Sequence, residues 1–178
     1  SPVAADQPWF AEPIPFAKIP AELDGGPLFT KHNHCPGIAW CANGDLLAVW
    51  YTTIQEWGRE HAIAGSRLRQ GRDAWDEADL FWDVPDRNDH TPTIWSDHKG
   101  KLFHFNGMAV EGGWHDLALL MRESNDNGAT WTNPRVIAPK HGFGNMPISS
   151  TFRRADGAIC VPCDAVPGAN GGSILHIS

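Results

Sequence analysis

The chain has 178 residues, 42% apolar and 20% charged, which fits one globular domain with a real core and excludes a disordered or collagen-like polymer. Fourteen Lys and Arg against 21 Asp and Glu leave a formal charge of −7 with no basic cluster, which argues against binding to nucleic acid or to an anionic membrane surface. Apolar runs such as Leu117 to Met121 are far shorter than the roughly 20 residues that cross a bilayer, so no membrane span is expected.

Residues 1–30 are rich in Pro, match nothing that follows, and are expected to form an extended N-terminal arm. The first residue is Ser rather than Met, so the start is expected to be processed, tagged or cut; export stays open, and a secreted or periplasmic location is the expectation. From residue 31 the chain repeats itself. His34-Cys-Pro36-Gly-Ile-Ala-Trp40 leads through Asn43-Gly44 to Asp-Leu-Leu-Ala-Val-Trp50, which reads as strand, tight turn and strand. The pattern returns at His90-Thr-Pro92, with a turn at Lys99-Gly100, and at Asn145-Met-Pro147, with a turn at Asp156-Gly157, in steps of 90 − 34 = 56 and 145 − 90 = 55 residues. Third strands are predicted at 61–68, 116–123 and 173–178, and fourth strands around 80–82 and 135–137. Four antiparallel strands per unit of about 55 residues is the pattern of a β-propeller blade, and a β-sandwich of hairpins is the alternative. Cys35, Cys41, Cys160 and Cys163 are expected to be mainly buried free thiols, ahead of a disulfide or a zinc site, because Cys160 and Cys163 sit in an apolar strand rather than on a tight turn.

Between the third and fourth strands of the second unit lies Ser124-Asn-Asp126-Asn-Gly128-Ala-Thr130-Trp131, which matches the Asp box S-x-D-x-G-x-T-W at every defined position. The chain therefore resembles the sialidase (neuraminidase) superfamily with its BNR repeats. Ser124 and Asp126 are suited to closing the turn by local hydrogen bonds, Gly128 to a positive φ, and Trp131 to wedging against the sheet. The first unit keeps Gly71 and Trp75 of this pattern but not its Asp. The resemblance implies an all-β, sialidase-like β-propeller, six-bladed in the intact family. About three four-stranded antiparallel blades are expected here, at 31–86, 87–141 and an incomplete 142–178, with the remaining blades outside the chain.

In propellers of this kind the substrate face is built from the loops leading into each innermost strand and the loops joining the second strand to the third. Those loops hold six of the nine His, at 32, 34, 61, 90, 115 and 141. Imidazole titrates near neutrality and can donate or accept hydrogen bonds to sugar hydroxyls. His34 and His90, at equivalent repeat positions, and Asp89, by loop position, are the candidate catalytic residues. His32, Arg59, Arg87, Trp57, Trp114, His115, His141 and Asn145 are the candidate substrate-binding residues, with Trp rings to stack on a sugar and Arg to hold a carboxylate. The family's F/Y-R-I-P motif aligns its Pro with Pro36, which puts His34 where its carboxylate-binding Arg stands. Tyr51, at the end of a strand, is no obvious substitute for the family's Tyr nucleophile. No metal and no cofactor are expected. The resemblance implies a carbohydrate-active exo-glycosidase that cleaves a terminal glycosidic bond of a glycan or oligosaccharide. Two alternatives stay open: a polysaccharide lyase in which His removes the proton α to a uronate carboxylate, and a non-catalytic glycan-binding propeller.

Overall fold

A computed structural model of the chain describes residues 12–13, 32–148, 150–165 and 173–177. The expected N-terminal arm and most of the loop at 164–170 lie outside the described residues. Among the described residues the structure is all-β, with one single-turn 3-10 element at Phe143–Asn145. The first sheet contains β1 (His32–Trp40), β2 (Leu46–Thr53), β3 (Ala62–Leu68) and β4 (Asp79–Trp82), hydrogen-bonded in chain order. The second contains β5 (Asn88–Ser96), β6 (Leu102–Ala109), β7 (Leu117–Ser124) and β8 (Arg135–Gly142), again in chain order. The third contains β9 (Phe152–Arg153), β10 (Ile159–Ala165) and β11 (Ser173–Ile177). Every pairing within the sheets is antiparallel.

The sheets stack because their central strands are apolar on both faces. In β2 the alternation sends Leu47, Val49 and Tyr51 toward the second sheet, where they meet Ile94 and Leu102, while Ala48 and Trp50 pack the other way on Ala64, Ala78 and Trp75. Phe103, Phe105, Leu119 and Met121 of the second sheet then pack on Val161 and Cys163 of the third. Three meanders stacked face to face in sequence are propeller blades; a two-sheet sandwich would exchange strands between its layers.

Polar clasps fix the first two blades relative to each other. Arg122 on β7 donates from Nη2 to the Phe81 carbonyl at 2.8 Å and from Nε to His104 Nδ1 at 3.0 Å. Its guanidinium also lies over the rings of Phe81, Trp82 and Trp131. At the hairpin end, Arg67 spans Asp45 Oδ2 at 3.0 Å and the Asn127 carbonyl at 2.8 Å.

The third blade departs from its prediction. An innermost strand beginning at Asn145 is expected, but Phe143–Asn145 is a 3-10 turn, Pro147 makes an isolated bridge to Cys163, and only Phe152–Arg153 forms the strand. The Asn145 amide donates to the Leu117 and Lys140 carbonyls, at 2.8 and 2.7 Å, which holds the chain in a turn. Pro147 has no N–H to give a ladder. All four cysteines are free; three are buried, and Cys35 is half-buried.

The turn at 124–131 is closed by side chains. Asp126 Oδ1 accepts from the Ser124 hydroxyl at 2.7 Å and from Thr130 N at 2.9 Å, Asp126 Oδ2 accepts from the Thr130 hydroxyl at 2.6 Å, and Ser124 Oγ accepts from Gly128 N at 2.8 Å. Gly128 has φ +81°, and a Cβ there would press on Arg67, Leu102 and Leu47. The Thr130 hydroxyl first, then its N–H and Ser124, hold the Asp126 carboxyl down at about 2. Its folded pKa lies below the unfolded value of about 3.9, so its contribution to stability is present above that value and is lost as pH falls through about 2. Asp126→Ala in the intact protein is therefore expected to lower the melting temperature at pH 7. The gap from wild type should narrow between about pH 4 and pH 2 as wild-type Asp126 takes up its proton. A gap that stays constant through that interval would refute the assignment.

Candidate active site

At one end of the first blade, the His32-Asn33-His34 alternation of β1 places both imidazoles beside Tyr51, which pairs directly with His34 across the sheet. Tyr51 itself is fully buried. Its Oη lies 3.2 Å from His32 Nε2, 3.0 Å from His34 Nδ1 and 3.1 Å from Glu56 Oε1. Both imidazole nitrogens lie 3.9 Å from the same Glu56 oxygen. The side chains around the phenol stay open to solvent, at 38% for His32, 59% for His34 and 39% for Glu56.

Hydrogen-bond counting then sets the tautomers. A phenol has one proton, and with Tyr51 donating it to Glu56 both imidazoles donate to Tyr51 Oη, while the Cys35 sulfur lies 3.4 Å from His34 Nδ1. His34 therefore carries its proton on Nδ1 in the neutral form, which leaves the Nε2 lone pair available. Burial first, then the charges of Cys35 and Glu56 and the hydrogen bond to Glu56, push the Tyr51 pKa upward, so the phenol keeps its proton. Burial and then Glu56 push the Cys35 thiol up to about 11.

The floor beneath this group is aromatic. The Tyr51 ring lies 4.6 Å from His90 and 5.2 Å from His61, and His90 stacks on Trp114 at 5.5 Å. Trp114 lies 4.4 Å from Trp57, and His115 meets both indoles edge-on. Trp57 is half exposed and follows Glu56 directly, so the aromatic surface continues from the polar mouth. The loops that carry Trp57 and Trp114 are tied by Gly58 N to the Gly112 carbonyl at 2.7 Å, and the Asn88 amide reaches both the Gly58 and Gly112 carbonyls.

The other candidates separate from this cluster. His90 is 4% exposed, and burial first, then the charges of His61, His34 and His32, push it down to about 3, so it is a neutral floor residue cut off from solvent. The equivalence of His34 and His90 fails in the backbone. In the first blade the bulge falls on Cys35-Pro36 opposite Trp50, so His34 stays paired with Tyr51; in the second it falls on His90-Thr91 opposite Gly107. Gly107, 56 residues after Tyr51, is required there, because a Cβ would strike the His90 carbonyl.

Asp89 points away from the mouth and is fully buried, accepting from Trp82 Nε1 at 3.2 Å, Val84 N at 2.7 Å and Asn106 Nδ2 at 3.2 Å. Burial raises its pKa to about 8 against these donors. The expectation of Asp89 beside the two His is corrected by this placement. Arg59 and Arg87 both turn to Asp86, through contacts of 2.8 Å to its carboxylate and 2.7 Å to its carbonyl. His141 Nδ1 contacts the Asp116 carbonyl at 2.7 Å, and Asn145 is buried in its bracing role. Tyr51, Glu56, His61 and Asn88 join the cluster although the sequence does not single them out as candidate site residues. The signal for Tyr51 is its register with His34, legible only by counting back from the Asn43-Gly44 turn and allowing for the bulge.

Among the described residues, His32, His34 and Glu56 form a group of potential metal ligands whose donor atoms all lie within 4.8 Å of one another. No helix among those residues is long and apolar enough to cross a membrane.

This geometry sits in a recognisable family. Residues 44–178 match the BNR repeat-like domain, and the chain belongs to that family. No curated protein matches the sequence. Among solved structures, the Hadza microbial sialidase Hz136 superposes with a TM-score of 0.65 at 15% identity, over 83% of this chain and 35% of the other. A leech intramolecular trans-sialidase complexed with 2,7-anhydro-Neu5Ac gives 0.60 at 11% identity, over 88% and 42%. Trypanosoma rangeli sialidase in complex with sialic acid gives 0.60 at 13% identity, over 90% and 31%. The fold is thus that of a sialidase-like propeller, of which this chain spans less than half the length of these three proteins.

The tautomer assignment has a direct readout. In the intact protein, 15N NMR of the neutral His34 ring is expected to show protonated Nδ1 and unprotonated Nε2, and Tyr51→Phe is expected to abolish that preference. A neutral His34 protonated at Nε2 in wild type would contradict the hydrogen-bond scheme.

Proposed function

We propose that the chain supplies part of a carbohydrate-active enzyme that cleaves a terminal glycosidic bond of a glycan, with His34 moving the proton. The observation that carries this reading is the solvent-open cluster of His32, His34 and Glu56 around the Tyr51 hydroxyl, beside the Trp57–Trp114 surface. Hydrolysis requires a proton for the leaving oxygen as the C–O bond breaks, and water to complete the anomeric carbon. His34 as imidazolium presents Nε2–H for the first step and recovers its lone pair afterwards, while Tyr51 holds the ring in place. Tyr51 is a positioning residue, since its oxygen is covered by three side chains. Trp57 offers an apolar face to the C–H groups of a sugar ring. A secreted or periplasmic location belongs to the same proposal, because extended glycans are met there.

A second reading is favoured by the tautomer. A neutral His34 with its Nε2 lone pair outward suits a base that removes the proton α to a uronate carboxylate. The electrons then form a C=C bond and the glycosidic oxygen departs, with no water consumed. Sialic acid is the less favoured substrate, because both Arg residues near the site are engaged by Asp86.

His34→Ala in the intact protein should lower turnover at least about a hundredfold on the substrate it cleaves, with little change in melting temperature since the ring is exposed. The panel is sialosides, uronate-containing glycans and neutral aryl glycosides. A saturated reducing sugar as product supports hydrolysis, and an unsaturated uronate, seen by its ultraviolet absorbance, supports elimination. Wild-type turnover in His34→Ala, or glycan binding without cleavage by either form, would overturn the enzymatic role of His34.

A further inference from the structure

We propose that His32 Nε2, His34 Nδ1 and Glu56 Oε1 form a binding site for one divalent transition-metal ion of the zinc class. Two imidazoles and a carboxylate are the donor types that zinc takes. The His-x-His alternation on a strand sets both rings on one side, and the loop after β2 brings Glu56 against them.

Distances suit three protein corners, with the fourth left to water. At a zinc–ligand distance of about 2.1 Å, tetrahedral donors stand about 3.4 Å apart. Tyr51 Oη, 3.0, 3.1 and 3.2 Å from the three donors, is their hydrogen-bond partner rather than a ligand, because the buried phenol keeps its proton. The Glu56 oxygen is 3.9 Å from each imidazole nitrogen, and the imidazole nitrogens lie within 4.8 Å of each other. The Glu56 separations lie above the tetrahedral value, and rotations of the two exposed rings would close them. The buried Tyr51 ring, packed on His61 and His90, gives the site a fixed base. The open side chains of the other three leave a path for the ion.

This inference goes beyond the proposed activity and does not depend on it, but the two are coupled. An ion on His34 Nδ1 leaves the ring proton on Nε2, so the ion-bound ring has no lone pair with which to accept a proton. Ion-bound and proton-accepting His34 are therefore alternative states of one cluster.

The test is titration of the intact protein, stripped with a chelator, with zinc chloride by isothermal calorimetry and with cobalt(II) by visible absorption. One equivalent should bind, with cobalt bands of four-coordinate intensity. His32→Ala and Glu56→Gln should each weaken binding at least tenfold and remove those bands, whereas His141→Ala, outside the cluster, should leave both unchanged. Melting temperatures confirm that the variants fold. Absence of stoichiometric binding, or equal binding by wild type and His32→Ala, overturns the metal site and leaves the proposed activity standing. Stoichiometric zinc should also suppress turnover. Tight zinc binding at these residues with turnover unchanged would support the metal site while overturning His34 as the proton carrier.

Discussion

The placement of Arg122 constrains the arrangement on which the site depends. A guanidinium this deep is stable only with its donors used and its faces covered, and both conditions need two blades at once: His104 from its own blade, and the Phe81 carbonyl and Trp82 ring from the preceding one. Burial first lowers its pKa to about 10, still well above neutrality, so the charge persists and the clasp holds. The angle between the first two blades follows. With it comes the position of His90 and Trp114, which the second blade slides beneath Tyr51 and beside Trp57.

A repeat protein can make a unique site only by breaking its repeat, and the break here is one residue wide. Moving the bulge from Cys35-Pro36 to His90-Thr91 changes which side chain meets the second strand. One histidine remains paired and solvent-open, while its counterpart is pressed into the floor. Tyr51 in one blade and Gly107 in the next are the partners of those two backbones. The hydroxyl needs the paired form, and the bulged form leaves no room for a Cβ. Sites of this kind arise without new motifs.

The mouth combines a buried base with exposed rims. Tyr51, His61 and His90 are buried, and the buried imidazoles are held neutral at about 4 and 3, mainly by desolvation. His32, His34 and Glu56 stand above them, partly exposed and hydrogen-bonded to the Tyr51 hydroxyl. Such an arrangement lets one cluster hold a proton or an ion without repacking the core, because the changes are confined to exposed side chains.

Fold and blade order were legible in the chain because they rest on local rules. Turn residues at Asn43-Gly44 and Lys99-Gly100, alternation in β2 and β6, a 56-residue step and a Ser-x-Asp-x-Gly-x-Thr-Trp turn each act within a few residues of themselves. Part of the candidate site was legible as well, since the expected loops bring His32 and His34 to Tyr51, and Trp57, Trp114 and His115 into one aromatic cluster. What only the tertiary structure decided is which polar residues see solvent and which see each other. Asp89 lies one residue from His90, yet strand alternation and the neighbouring Trp82 take it to the opposite side. Arg59 and Arg87 carry charges that Asp86 occupies. Tyr51 becomes the hub through a cross-strand register that a single bulge displaces. Register, bulge position and burial are properties of pairs of distant segments, and a chain read one residue at a time carries them only implicitly.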